Sequence, residues 1–349
     1  MGGFFLASQS RAGVASTRRL RHEPVMAALP PPIERWFAER GWRVRRHQRE
    51  MLDVAGRGAH ALLVASTGAG KTLAGFLPTL ADLIEHPSDG LHTLYISPLK
   101  ALAVDVQRNL LTPISDMQLP IRVETRTGDT PSDRKARQRA RPPQMLLTTP
   151  ESLSLLLSHE DSFLLFAGLK TVIIDEVHAF ATQKRGDLLS LSLARLQRIA
   201  PALRRVALSA TVADADAYRA WLAPDGDIDS VTLVEGEAGA PPQVSILIPE
   251  DRVPWSGHSG KYAARQVMAE IARRRTTLVF CNTRGLAELI FQELWAVNEL
   301  KLPIGIHHGS LDIEARRPSE AGGFDPKTIR IARENATTLK FKTAEFEEE

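Results

Sequence analysis

Only one cysteine, Cys281, stands in the 349 residues. It has no partner in the chain for a disulfide, which fits a reducing compartment and excludes a cysteine-rich zinc module. The expected place of Cys281 is a buried one, as a small apolar residue. Long hydrophobic runs are missing too: Arg, Lys, Asp or Glu interrupts every apolar stretch well short of the ~18 residues of a membrane span. A strong charge of either sign is absent, since 44 Lys and Arg against 41 Asp and Glu leave 44 − 41 = +3. That balance permits an anionic partner without naming one. The 23 Gly and 22 Pro follow no period, and 43% hydrophobic with 24% charged residues is ordinary usage, so collagen, coiled coil and wholesale disorder are excluded. Acids are missing from residues 1–22, where Arg11, Arg18, Arg19 and Arg21 sit among Ser, Ala and Gly. This composition is that of an organellar transit peptide, or of an over-called start with translation beginning at Met26. Residues 1–26 are read as a basic leader outside the fold.

The length predicts two domains. From Trp36 to Val234 short apolar runs alternate with amphipathic stretches, the pattern of βαβ units and of a parallel sheet covered on both faces. Strands are predicted at 61–65, 93–97, 121–125, 145–148, 171–174 and 205–208, and helices at 71–83, 100–111, 134–139, 150–157, 187–199 and 213–222. The first α/β domain then covers 27–235, and a linker over 236–260 opens with Gly-Glu-Ala-Gly-Ala-Pro-Pro. The pattern restarts over 261–317 with helices at 261–274 and 285–297 and strands at 277–282 and 303–307. Two strands are too few for an independent α/β domain. The tail 318–349 shows no apolar periodicity, ends in acids, and is expected to be solvated and poorly ordered.

The strongest local signal is Ala65-Ser66-Thr67-Gly68-Ala69-Gly70-Lys71-Thr72, after a predicted strand and opening a predicted helix. Glycines let backbone N–H groups close around phosphate oxygens, a helix N-terminus adds positive potential, and Lys71 reaches the β and γ phosphates. Thr67, Gly68, Ala69, Gly70, Lys71 and Thr72 are therefore candidate ATP-binding residues, with the Thr72 hydroxyl on Mg²⁺. The strict pattern wants Gly where Ala65 stands. An acidic pair, Asp175-Glu176, lies 175 − 71 = 104 residues downstream at the tip of the apolar strand 171–174, followed by Val177-His178. Asp175 can bind Mg²⁺ through water, and Glu176 is placed to orient and deprotonate the water that attacks the γ-phosphate. Ser209-Ala210-Thr211 follows the next apolar strand.

Together with Gln48 upstream, these blocks resemble the first motor domain of superfamily 2 DExH-box helicases, which implies a RecA-like P-loop fold. By that resemblance Gln48 contacts adenine, Ser209 and Thr211 couple hydrolysis to nucleic acid, and His178 shares the coupling. Lys71, Asp175, Glu176 and His178 become the candidate catalytic set. Further matches are Ser97-Pro98-Leu99-Lys100, Thr127-Gly128-Asp129-Thr130 and Thr148-Thr149-Pro150-Glu151-Ser152, each after a predicted strand. In the family such loops bind the sugar-phosphate backbone without reading sequence, so Pro98, Lys100, Thr127, Gly128, Thr149 and Pro150 are candidate nucleic-acid contacts. Pro254 to Gly260, Phe280-Cys281-Asn282-Thr283-Arg284 and His307-His308-Gly309-Ser310-Leu311 are similar to the Lhr-type branch, the bacterial ligase-associated helicases of DNA repair. Arg284 and Gly309 join the nucleic-acid candidates. Trp255 either stacks on a base or packs between domains. His307 and His308 lack a third ligand at useful spacing, which argues against zinc.

The resemblance runs from Pro32 to Arg316 and stops after Arg317. The later motifs of the second motor domain, including the one that supplies arginine fingers, have no counterpart in the sequence, so the chain reads as a C-terminally truncated copy of a longer enzyme. The implied activity is an ATP-dependent helicase or translocase acting on single-stranded or partly duplex DNA in a bacterial cytoplasm, with DNA-repair proteins such as a ligase as partners and no membrane. The alternatives are a fragment that binds ATP and nucleic acid with little turnover, and an RNA helicase. A restriction-type translocase is disfavoured by the matches at 254–260 and 307–311.

Overall fold

The computed structural model describes residues 29–66, 68–181, 183–237, 243–247, 260–274, 276–307 and 329–333. Two helices, α1 (Pro31–Glu39) and α2 (Arg46–Gly56), lead into β1 (His60–Val64) and α3 (Lys71–Glu85). There follow β2 (Thr93–Ile96), α4 (Lys100–Asp116), β3 (Val123–Arg126), α5 (Ser132–Ala140), β4 (Met145–Thr148), α6 (Pro150–Leu157), α7 (Ser162–Phe166) and β5 (Thr171–Ile174). The unit closes with α8 (Lys184–Ile199), β6 (Arg204–Ser209), α9 (Ala215–Leu222) and β7 (Val231–Glu235). These strands form one seven-stranded sheet in the order β3-β4-β2-β5-β6-β1-β7, and every pairing in it is parallel.

The strand sequences explain the layers. Successive side chains of a strand point to opposite faces, so a parallel strand buried on both sides must be apolar at consecutive positions. Leu63, Tyr95, Ile173, Val206 and Leu208 enter one core with α1, α2, α3 and α4. Their neighbours Leu62, Leu94, Ile96, Val172, Ile174 and Ala207 enter a second core with α6, α7, α8 and α9. Burying a Leu or Ile side chain is worth roughly 1.5–3 kcal/mol. The central strands therefore hold the sheet in place from both sides.

A second, smaller unit comprises α10 (Ala264–Ala272), β8 (Thr277–Cys281), α11 (Arg284–Ala296), β9 (Ile304–His307) and β10 (Ile329–Arg333). Its parallel sheet runs β8-β10-β9. Met268, Ile271, Ala287, Leu294 and Ile304 form its core around Cys281, which is buried as expected and whose thiol is pushed up by burial. The structure corrects one reading of the tail: 329–333 is not an unstructured part of 318–349 but the central strand of this sheet. Its short segment, Ile-Arg-Ile-Ala-Arg, sits among polar and acidic neighbours that hide its alternation.

The strand β7, absent from the sequence reading, edges the first sheet beside β1. Just past it, the Gly236 N–H donates to the Val64 carbonyl at 2.8 Å. A Cβ on Gly236 would lie 2.5 Å from that of Ala65. Among the described residues no helix is long and apolar enough to cross a membrane.

Candidate nucleotide and nucleic-acid sites

In a parallel α/β sheet the loops that leave the carboxyl ends of the strands form the binding edge. Here the sheet order sets what stands beside what. Reading from β1 through β6, β5, β2 and β4 to β3, that edge carries in turn the phosphate loop, Ser209, Asp175-Glu176, Pro98, Thr149 and Thr127. The phosphate-loop chemistry occupies one half of the edge and the three strand-binding candidates the other. The acidic pair lies between them.

At the phosphate half, α3 begins at Lys71, directly after Gly70, whose φ of 71° is in the left-handed region. That backbone turn aims the first N–H groups of the helix outward, the arrangement that receives an anion. Lys71 and Glu176 are both about 95% buried, and Lys71 Nζ stands 3.5 Å from Glu176 Oε1. Two opposite charges held this far from solvent stabilise each other, because burial makes an isolated ion costly. Glu176 also holds a left-handed backbone at φ 50°, ψ 50°, which is rare for a residue with a side chain and marks local strain.

Asp175 is fixed from two directions. The Tyr95 hydroxyl donates to its Oδ2 at 2.5 Å, and the Glu176 N–H donates to its Oδ1 at 2.9 Å. Burial and the neighbouring carboxylate push the Tyr95 phenol well above its ordinary range, so it remains a donor. Tyr95 was not singled out from sequence; the signal for it was an aromatic hydroxyl between Leu94 and Ile96 in a strand, which must find a partner when buried. Thr72, half-buried, follows Lys71 at the start of α3.

Gln48 lies in the first turn of α2, where its Oε1 accepts from the Arg45 N–H at 2.9 Å. Its Nε2 comes within 3.0 Å of where a Cβ on Gly70 would be. The residue expected near adenine is thus packed against the phosphate loop, and Arg45 Nη1 reaches the Gly68 carbonyl at 3.5 Å. Ala69 is buried beside them. Thr67 lies outside the described residues.

His178 Nδ1 is 2.9 Å from Ser209 Oγ and 3.4 Å from Glu176 Oε2. Ser209 Oγ donates onward to the Thr211 carbonyl at 2.7 Å. The residues expected to couple therefore form one chain leading from the acidic pair to the loop after β6. Partial burial lowers the His178 pKa, and the Lys71 cation adds to that; Asp175 opposes it. The imidazole is neutral near pH 7.

On the other half, Lys100 is exposed at the start of α4 and its Nζ contacts both carboxylate oxygens of Asp129, at 2.8 and 2.9 Å. Pro98 is buried. Thr127 and Thr149 are only 8% and 4% exposed. Hydrogen bonds within each loop shape it: the Thr127 backbone N–H donates to Thr130 Oγ1, and Thr149 Oγ1 donates to Ser152 Oγ. Gly128 and Ser152 line a cavity of about 220 Å³ together with Arg126, Thr127, Lys135 and His159. Pro150 opens α6. Arg284, exposed, opens α11 in the smaller unit, its preceding Thr283 capping the helix by accepting from the Leu286 N–H. Gly309 lies outside the described residues, as do Trp255 and His308.

An anion-receiving loop after the first strand, an acidic pair two strands away and a buried lysine between them define a P-loop nucleotide-binding α/β protein of RecA-like architecture. The DEAD/DEAH box helicase family profile matches residues 45–219, and the chain belongs to that family. It is 37% identical over 312 residues to the Lhr helicase/uracil glycosylase of Escherichia coli, an alignment covering 78% of this chain and 20% of that protein. It is 34% identical over 315 residues to the ATP-dependent helicase Lhr-Core of Methanocaldococcus jannaschii, covering 84% of this chain and 36% of the relative. Among solved structures, the Mycobacterium smegmatis helicase Lhr bound to ssDNA and AMP-PNP superimposes with a TM-score of 0.71 at 31% identity, covering 87% of this chain and 41% of the other. The chain thus spans between a fifth and two-fifths of the length of these relatives.

Proposed function

We propose that this chain binds ATP and Mg²⁺ at the Lys71 and Glu176 edge and couples ATP hydrolysis to movement along single-stranded nucleic acid, as a DNA helicase or translocase of repair. The observation that carries the reading is the buried Lys71–Glu176 pair at 3.5 Å, set on the same sheet edge as the loops at 97–100, 127–130 and 149–152. Lys71 would face the β and γ phosphates, and Glu176 would orient the attacking water and take its proton. Thr72 and Asp175 are the residues that would hold Mg²⁺, which neutralises charge on the β and γ phosphates when bound. Asp175 suits that task, since hydrogen bonds to both of its oxygens fix its orientation. Lys100 and the turns at Gly128 and Pro150 would hold phosphates of the strand and position it without reading bases.

ATP turnover measured with and without single-stranded DNA tests the reading, with an RNA arm of the same length. Stimulation by DNA supports it, and failure to bind either nucleotide or nucleic acid overturns it. Preference for RNA would move the substrate to the other nucleic acid. Binding of both ligands with little turnover would cut the reading back to a nucleotide- and nucleic-acid-binding unit. A bacterial cytoplasm and a repair ligase as partner are parts of the same proposal; they rest on the family resemblance of the sequence motifs alone, and co-purification with ligase tests the partner.

A further inference from the structure

The loops assigned to the two ligands meet at one side chain that neither role uses. Arg185, in the first turn of α8, donates from Nη2 to the Pro98 carbonyl at 3.0 Å and from Nε to Glu151 Oε1 at 2.6 Å. Its guanidinium carbon lies 5.9 Å from the centroid of the Phe180 ring. Pro98 follows β2, Glu151 stands at the start of α6 after β4, and Phe180 ends the turn that begins at Asp175. A planar fork of five donors can serve acceptors on separate loops at once, which a lysine cannot do with the same geometry. Burial raises the Glu151 pKa, but hydrogen bonds, chiefly from Arg185, more than offset this and leave the carboxyl below its usual range, so the contact is ionic.

The start of the helix that carries Arg185 packs backbone against backbone on the acidic loop. A Cβ on Gly186 would stand 2.2 Å from the Phe180 carbonyl oxygen, so backbone rests on backbone there. Phe180 itself is fully buried. A displacement of the turn after Asp175 toward α8 therefore bears directly on the start of that helix, where Arg185 stands. Its other end holds two of the loops that face the strand.

We propose that Arg185 is a positioning residue that couples the acidic loop of the ATP site to the strand-binding loops after β2 and β4, so that nucleotide and nucleic acid bind cooperatively through it. This rests on the proposed assignment of those loops to ATP and nucleic acid. The ion pair is partly exposed and contributes little stability as such. What Arg185 supplies is geometry, and its signature is a coupling between two affinities.

The test uses the whole 349-residue chain. Fluorescence anisotropy gives the Kd of a labelled oligo-dT with and without AMP-PNP and Mg²⁺, and a fluorescent ATP analogue gives the reciprocal ratio, which linkage requires to be equal. The unsubstituted chain should show a ratio of about 5-fold or more. Arg185→Ala should bring both ratios close to 1 while nucleotide affinity in the absence of DNA stays within about twofold. Arg185→Lys, which keeps the charge without the fork, should retain less than half of the coupling, and it decides the matter if the alanine variant does not fold by circular dichroism. Coupling that is absent in the unsubstituted chain, or unchanged in the folded variants, overturns the inference. Failure of the unsubstituted chain to bind nucleotide or oligo-dT at all instead counts against the proposed function.

Discussion

Lys71 and Glu176 form a buried ion pair at 3.5 Å, and their roles separate under substitution. Lys71→Ala removes the buried cation that would meet the phosphates; a charged hydrogen bond is worth ~1.5–3 kcal/mol, so nucleotide affinity should fall about 10- to 100-fold in a fluorescent-nucleotide titration. Glu176→Gln keeps the shape and the acceptor oxygen but cannot take a proton, so nucleotide should still bind while hydrolysis is lost. Equal loss of nucleotide affinity in both variants would contradict the assignment. Tyr95→Phe tests the support beneath Asp175. Its hydroxyl is the side-chain donor to a carboxylate only 2% exposed, and leaving that oxygen short of a partner should cost ~1–3 kcal/mol of stability in urea unfolding. An unchanged midpoint would show that the hydroxyl is dispensable.

Among the elements, α8 makes the sharpest claim. Gly186→Ala forces a Cβ into the Phe180 carbonyl oxygen at 2.2 Å, and overpacking of this kind costs ~1–3 kcal/mol or more. The variant should lose thermal stability and, with α8 displaced, the coupling assigned to Arg185 as well. A wild-type melting curve would mean that the helix start can retreat freely. The same scale shows which elements the sequence revealed. Thr171–Ile174 and Met145–Thr148 lie at the expected bounds because each holds a short apolar run bounded by polar residues, Thr171 and Asp175 in the first and Gln144 and Thr148 in the second. The helix α2 was not expected, since its buried face includes His47 and Gln48 beside Met51 and Leu52, and polar residues on the inner face obscure the period. The strand β7 is half-buried at a sheet edge, and its pairing with β1 spans residues far apart in the chain. The phosphate loop, the acidic pair and Ser209 were legible because each is a short contiguous motif. Tyr95 and Arg185 were not, because their partners are brought to them by sheet order, which places β2 beside β5 and β4.

For the whole molecule, protons provide the readout. Burial lowers the pKa of His47 against the pull of the Ala69 backbone, lowers that of His60 together with Arg205, and lowers that of His92 against its Asp82 contact. His178 is lowered as well. For each of the four the unfolded state takes up a proton first, so the stability tied to the neutral ring is present above the ordinary value of 6.5 and is lost as pH falls below it. Asp82 adds a second stage. Its burial works against ionisation, but hydrogen bonds from His92, Lys170 and His86 hold its pKa at about 2 against an ordinary 3.8. Its contribution is therefore complete above about pH 4 and disappears as pH falls towards 2. A melting-temperature series should be level near pH 7 to 8, decline from about pH 6.5 downward and fall again below about pH 4. A melting temperature that rises on going from pH 7 to pH 5 would contradict the burial of these histidines.

Gly236 gives the exit from the first sheet a mechanical meaning. Only hydrogen atoms separate its α-carbon from the residue that opens the phosphate loop, since a methyl group there would collide with Ala65 at 2.5 Å, and Arg46 Nη2 holds the preceding carbonyl of Glu235 at 2.8 Å. The polypeptide therefore departs for its second unit from the spot where nucleotide phosphates would arrive. No flexible side chain lies between the two, so the backbone at Gly236 rests directly on the residue that opens the phosphate loop, with no room for anything larger than hydrogen between them.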